Sequence, residues 1–220
     1  MAVSAAAARN GRAQVGVPRV LAAKPLRTFR AQDAAVAYPH PRPQLARLEQ
    51  AGALHRPAWG YYIVVPQEFA GTEWMPALEA TAAGIAIATF APARAPLMGV
   101  SAARVHGAIP RALSTAIVAA PVRHDAIQLV DRTGRIQFVK RDTSRLDVVP
   151  VTTELGRAMV TSIEQTVLDL GRQPAIGVAD DQIPEALRAL LPRCDHGLLT
   201  DLADVQRLRS ALARAEDWAR

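Results

Sequence analysis

Arginine and glutamine side chains at helical spacing carry the donors and acceptors that match base edges and phosphate oxygens. One stretch of this 220-residue chain concentrates them. Between Pro43 and Gln50, Leu45 and Leu48 fall on one helical face, while Pro43, Arg47 and Gln50 project from the opposite face. Arginine reads guanine, and glutamine adenine, through paired hydrogen bonds in the major groove. Arg47, with Gln44 or Gln50, is therefore the candidate for base reading. Arg56 on a following hairpin and Arg27 ahead of the helices are candidates for phosphate contact. Arg30 and Arg42 complete the set of candidate DNA-binding residues.

Other chemistries are weaker. Gly99-Val100-Ser101-Ala102-Ala103 comes within one residue of a nucleophile elbow, with Asp125 and His196 following in the order of a hydrolase triad. The preceding Ala93–Met98 makes a poor buried strand, and nothing around Asp125 or His196 recommends them. A hydrolase built on Ser101 stays a rival reading. Asp180-Asp181 would suit a metal nuclease, yet the pair sits just before a helix, where acids complement the positive dipole end. No phosphate-cradling glycine loop and no H-E-x-x-H is present. The single cysteine, Cys194, excludes an intramolecular disulfide and any zinc site built on paired cysteines. The expectation is a protein with no catalytic residues, metal or cofactor, working in a reducing cytoplasm.

Charge is divided unevenly. Residues 1–66 hold nine basic side chains against Asp33 and Glu49, a net +7, while the remainder sums to −1. A basic segment beside a near-neutral one points to phosphate contact by the first alone. The opening alanine run is too short and too weakly apolar for a signal peptide, so secretion is not expected. The most apolar stretch, Ala82–Ala93, falls well short of the roughly 20 residues of a membrane span.

The elements that must position these residues read as follows. Val17–Ala23 is weakly helical. Arg30–Tyr38 reads as an alanine-rich helix capped by Thr28, and a proline-punctuated turn leads into the helix over Pro43–Gln50, closed by Gly52. Ala53–Arg56 and Gly60–Val65 flank Pro57-Ala58-Trp59 as a hairpin. Helix, turn, helix and hairpin is the order of a winged helix-turn-helix. Beyond Pro66 the pattern predicts helices over Glu73–Ala83 and Ser101–His106, the latter capped by Ser101, and a strand over Thr115–Ala119. A hairpin of Ala126–Val130 with Arg135–Lys140 and a strand near Leu146–Val151 come next. Thr161–Gln165 offers a capping box in either of two registers. Helices over Ile183–Leu191 and Leu198–Trp218 finish the chain. The fold class is α+β: a winged helix over 1–66 and a larger mixed α/β domain over 71–220.

Three stretches together resemble the AbiEi family, the antitoxins of type IV abortive-infection toxin–antitoxin systems. They are the segment ending in Gly60-Tyr61-Tyr62, similar to "rGvY"; Met98–Gly107, similar to "sGwSAlalhG"; and Val160–Leu170, similar to "vTspeRTllDLa". Val100 stands for the usual aromatic, Ile163 for proline and Gln165 for arginine. The resemblance implies a DNA-binding module that represses its own operon at promoter repeats. It also implies a C-terminal domain that counters a neighbouring nucleotidyltransferase-type toxin, with or without a stable complex. A winged-helix transcription factor with an effector-binding C-terminal domain and no toxin is the alternative. Ser101 and Ser162 are expected as helix caps, His106 as a hydrogen-bonded helix end, Asp169 as a carboxylate bonded to backbone, and Trp218 as a docking residue.

Overall fold

A computed structural model describes residues 16–91, 94–172 and 182–220. Its first element is the four-residue helix α1 (Arg19–Ala22), followed by strand β1 (Thr28–Arg30) and a 3-10 helix over Ala31–Val36. The alanine-rich helix expected over 30–38 is therefore shorter and more tightly wound, and Thr28 does not cap it. Thr28 is drawn into a sheet because β3 (Tyr61–Val64) offers an antiparallel ladder, with Thr28 opposite Ile63 and Arg30 opposite Tyr61. Pairing and burial override the helical preference of the alanines that follow. The Arg30 N–H donates to the Asp33 carboxylate at 2.9 Å, tying the strand end to the 3-10 turn.

Helix α2 (Pro41–Gln50) begins two residues before the expected Pro43. Both prolines fit its first turn, where a missing N–H costs nothing. Strand β2 (Leu54–Ala58) and β3 form the expected hairpin, but β2 runs through Pro57 and Ala58 and the turn falls at Trp59-Gly60. Gly60 has φ +83°, a conformation in which a side chain is strained. The sheet order is β1-β3-β2.

Helix α3 (Leu78–Phe90) starts later and runs further than the expected 73–83. Pro76 keeps Met75 out of helical geometry, and the Glu154 carboxylate accepts the Ala77 N–H at 2.5 Å. Every residue from Leu78 to Ala86 is buried, so this apolar stretch is a core helix. After α4 (Gly99–Val105) come β4 (Thr115–Ala120), β5 (Ile127–Gln128), β6 (Arg135–Lys140), β7 (Val148–Thr153) and β8 (Gly156–Thr161). β5 and β6 pair antiparallel as expected, whereas β4 and β6 are parallel, and the β7–β8 hairpin includes a strand the sequence reading lacked. The chain ends in α5 (Ile163–Arg172), α6 (Gln182–Leu190), α7 (His196–Val205) and α8 (Arg209–Trp218). The single helix expected over 198–218 is broken at Arg207, whose φ is +57°. The break lets Leu208 enter the core while Val205 stays in solvent, which a straight helix stripe would not allow.

The architecture is mixed α/β, and the described residues form three small sheets and three apolar cores. Strand β4 is buried at all six positions. Its Ala116, Val118 and Ala120 join α3, β6 and β8, and its Ile117 and Ala119 join helices α4–α8. The third core, Leu21, Phe29, Ala34, Leu45, Leu48, Leu54, Tyr62 and Val64, lies wholly within the basic segment. That segment is nevertheless not separate, because Leu26, Ala58 and Ile63 belong to the α3 core. Alternation along β3 explains this: Tyr62 and Val64 face one core, and Ile63 faces the other.

At Gly84, α3 touches β1 directly. A Cβ there would collide with Thr28 Oγ1 and lie 3.0 Å from Thr28 Cβ. Thr28 cannot swing aside, being buried and β-branched with its hydroxyl donating to the Leu26 carbonyl at 2.7 Å. In an exposed helix, alanine for glycine stabilises by about 1 kcal/mol. Here Gly84→Ala is expected to destabilise by about 1–3 kcal/mol, the usual cost of overpacking, as read by thermal unfolding. A raised Tm would show that the contact yields.

Candidate nucleic-acid interface

Helix α2 buries Leu45 and Leu48 and exposes Arg42, Pro43, Ala46, Arg47 and Gln50. At 100° per residue those five positions share one face, so two guanidinium groups and an amide project together with only small or ring side chains between them. Gln44 sits at the flank, half-buried, and Gln50 is the glutamine that shares the face with Arg47. Among the described residues, no carboxylate lies within ion-pair distance of Arg30, Arg42 or Arg47. Unpaired arginines concentrated on one face leave their charge free to act outward.

Arg56 on β2 is placed differently. Its guanidinium pairs with Glu49 of α2 at 3.0 Å and lies 4.6 Å from the ring centre of Trp59. Trp59 itself is 73% exposed at the hairpin turn, although it is a large apolar side chain. Glu49 and Trp59 were not among the sequence candidates. The Trp-Gly pair at a hairpin turn was a legible signal for the second, whereas Glu49 needed the helix–hairpin contact. Arg27 is half-buried at φ +51°, next to the buried Leu26 at +48°. Two consecutive non-glycine residues in this region store strain, held by the burial of Leu26 in the α3 core. Arg9 and Arg12, which contribute to the +7, lie outside the described residues.

The hairpin is fixed to the rest of the chain by polar contacts as well as by Ala58 and Ile63. Asp131, in the turn between β5 and β6, pairs with His55 Nε2 at 2.7 Å and with Arg132 at 2.9 Å. The Val130 N–H donates to the Pro57 carbonyl at 2.8 Å, and the Tyr61 and Thr89 hydroxyls share a hydrogen bond of 2.9 Å. Burial raises the Asp131 pKa, but hydrogen bonds and charge from His55 and Arg132 outweigh it and hold the carboxyl below its ordinary value. A carboxyl held low in the folded state contributes stability above its unfolded pKa of about 4, and that stability is lost as pH falls through the folded value. Asp131→Asn is therefore expected to lower stability at neutral pH and to flatten its decline below about pH 4, in urea unfolding at a series of pH values. An acid limb as steep as that of the unsubstituted protein would contradict the pair's contribution.

The remaining sequence candidates have structural partners. Ser101 lies inside α4 and is fully buried, and its Oγ accepts the Ile117 N–H at 2.8 Å. It is neither the helix cap expected nor the exposed serine of a strand-to-helix elbow, and among the described residues it shares no hydrogen bond with Asp125 or His196. Ser162 caps α5 by accepting the Gln165 N–H at 3.1 Å, which selects one of the two registers. The reciprocal bond of a capping box is missing, because the Gln165 side chain turns to Asp147, Asp169 and Gln206. His106 Nε2 is 2.7 Å from the Thr161 carbonyl, linking the two motifs around 101 and 162. Asp169 bonds to side chains and not to backbone: Arg141 donates at 2.8 Å and Gln165 at 3.3 Å. Burial pushes its pKa up against the pull of Arg141 and Gln165. Burial likewise pushes the Cys194 thiol up to about 12, so it is unreactive at neutral pH. Trp218 packs on the α4–α8 core as a docking residue. Asp180-Asp181 lie outside the described residues. Among the described residues no cluster of three or more histidine, cysteine or acidic side chains is arranged to hold a metal, and no helix is long and apolar enough to cross a membrane.

Fold and site together define a mixed α/β protein that carries a small basic module on one of its cores. The chain is similar to the crystal structure of the Rv2827c protein from Mycobacterium tuberculosis, at 16% identity and a TM-score of 0.53, over 86% of this chain and 72% of that one. At this identity the likeness is one of fold alone. No protein-family model matches the chain, and no curated protein matches it.

Proposed function

We propose that this chain is a DNA-binding regulator without catalytic activity, working in the cytoplasm, in which residues up to about Pro66 form a winged helix. On this reading α2 is the recognition helix, the β2–β3 hairpin is the wing, and the target is double-stranded DNA at repeats in the chain's own promoter. The observation that carries it is the exposed face of α2, where Arg42, Arg47 and Gln50 stand together without a carboxylate partner among the described residues. A helix fits the major groove, and this face has the donors that read purines there. The charge division between a +7 segment and a −1 remainder supports the same assignment.

The second half of the proposal rests on resemblance to AbiEi antitoxins: residues from about Gly71 onward counter a nucleotidyltransferase-type toxin encoded alongside. Two of the family-like segments, 98–107 and 160–170, lie in that part and contact each other through His106 and Thr161. The test is co-expression with the product of the adjacent gene from an independent promoter, together with gel-shift of the native promoter. Growth rescue with a specific shift is the expected result. A specific shift without rescue would leave a transcription factor and remove the antitoxin.

A further inference from the structure

A cleft of about 480 Å³ opens beside the proposed recognition helix, between the 3-10 helix, the first turn of α2 and the Gly60 turn. Arg30 and Arg42 line it, with Leu45 and Tyr61 as apolar wall and Ala31 and Gly60 as small residues. We propose that this cleft seats one phosphate group, gripped by Arg30 and Arg42 together. The inference rests on the DNA-binding reading for the source of that phosphate, a backbone phosphodiester, but the seat is built from observations of its own.

The first is an unsatisfied donor. Arg30 Nε is buried and has no hydrogen-bond partner among the described residues. A buried donor left unpaired is costly and calls for a partner, of which a bound ion is one. The second is charge. Arg30 and Arg42 both line one cleft, and the nearest acid in sequence, Asp33, is engaged by the Arg30 backbone N–H and forms no ion pair with either arginine. Like charges brought together without a counter-charge favour an oxyanion between them. Phosphate suits the site better than a carboxylate, because its oxygens accept from two planar donor forks approaching from different sides. The third is shape. Gly60 borders the cleft at φ +83°, and a Cβ there would meet nothing within 4 Å, so the mouth is open on the hairpin side. The first turn of α2 adds little of its own, because Pro41 and Pro43 bring no N–H and leave the Arg42 backbone N–H between them.

The arrangement divides labour on one surface. Arg47 and Gln50 are exposed on α2, whereas Arg30, at the end of β1, lines the cleft beside the same helix. A phosphate fixed in the cleft would set the angle at which α2 enters the groove, as backbone contacts do elsewhere.

The test uses the full chain and the Arg Nε–Hε resonances in a proton–nitrogen correlation spectrum, where a buried Nε–H exchanges slowly enough to be seen. Inorganic phosphate is titrated at constant ionic strength against chloride. The Arg30 resonance is expected to shift saturably, and Arg42→Ala is expected to weaken phosphate binding roughly tenfold. Arg188→Ala, on the exposed face of α6, should leave the titration unchanged. A duplex of random sequence at low salt is the second arm. A shift of the same resonance by duplex, carried to the phosphate-saturated position by excess phosphate, supports a backbone phosphate in the seat. A phosphate shift with no response to duplex keeps the seat and overturns its link to DNA. Duplex binding in gel-shift with the Arg30 resonance unmoved by either probe overturns the seat and leaves the DNA-binding reading standing.

Discussion

Replacing Arg42, Arg47 and Arg56 with alanine in the full-length chain is expected, on the proposed function, to lower affinity for the native promoter about a thousandfold while leaving toxin rescue intact. Loss of a base-reading arginine costs roughly 1–3 kcal/mol, and each lost phosphate contact adds to this and reduces the slope of log affinity on log salt by about 0.9. The three side chains do not contribute equally. Arg42 and Arg47 are unpaired among the described residues, whereas Arg56 is already partly neutralised by Glu49 and stacked near Trp59. Arg47→Ala alone should therefore relax discrimination between promoter and random DNA, and Arg56→Ala should change both by a smaller, common factor. Equal loss on promoter and random DNA for Arg47→Ala would remove it from base reading. A triple variant that folds normally yet fails to rescue would overturn the proposed division of labour between the basic segment and the rest of the chain.

The full chain is the proper vehicle for that experiment. A fragment ending near residue 70 would keep the Leu21–Val64 core but strip its partners from Leu26, Ala58 and Ile63. It would also lose the Asp131, Val130 and Thr89 contacts that hold the hairpin. Failure of such a fragment to bind DNA would reflect unfolding as readily as missing chemistry.

The second large effect lies in the buried pair of Arg141 and Asp169, whose side chains are 9% and 0% exposed. Asp169→Ala is expected to destabilise by about 3–5 kcal/mol, because it leaves a guanidinium buried without its counter-charge. The accompanying fall in Tm should be about 10 °C for a chain of this size. Replacing both partners, Arg141→Met with Asp169→Leu, should recover most of the loss, since two apolar groups have no desolvation to repay. Chemical unfolding of the single and double variants measures both quantities. A single variant that costs under about 1 kcal/mol would mean that water reaches Arg141 and that the pair is not a buried one.

Where a single element carries its own signal, the sequence suffices. The leucine face of α2, the two hairpins and the Ser162 cap of α5 follow from periodicity and turn chemistry confined to about ten residues, and the structure has each of them. The candidate arginines were legible for the same reason, since a charged face opposite Leu45 and Leu48 is a local pattern. What local pattern could not determine is pairing. β1 is a strand only because β3 lies beside it, and the parallel match of β4 with β6 depends on a partner across two intervening loops. The same holds for the site. The bond of His55 to Asp131 spans 76 positions, Glu49 meets Arg56 only after the hairpin folds back, and Arg30 Nε is buried only once the chain has folded around it. Side-chain type and spacing determine what chemistry is available, because they act through bonds within one or two turns of chain. Burial and charge pairing determine which of it is free to act, and both are sums over neighbours that only the tertiary structure brings within reach.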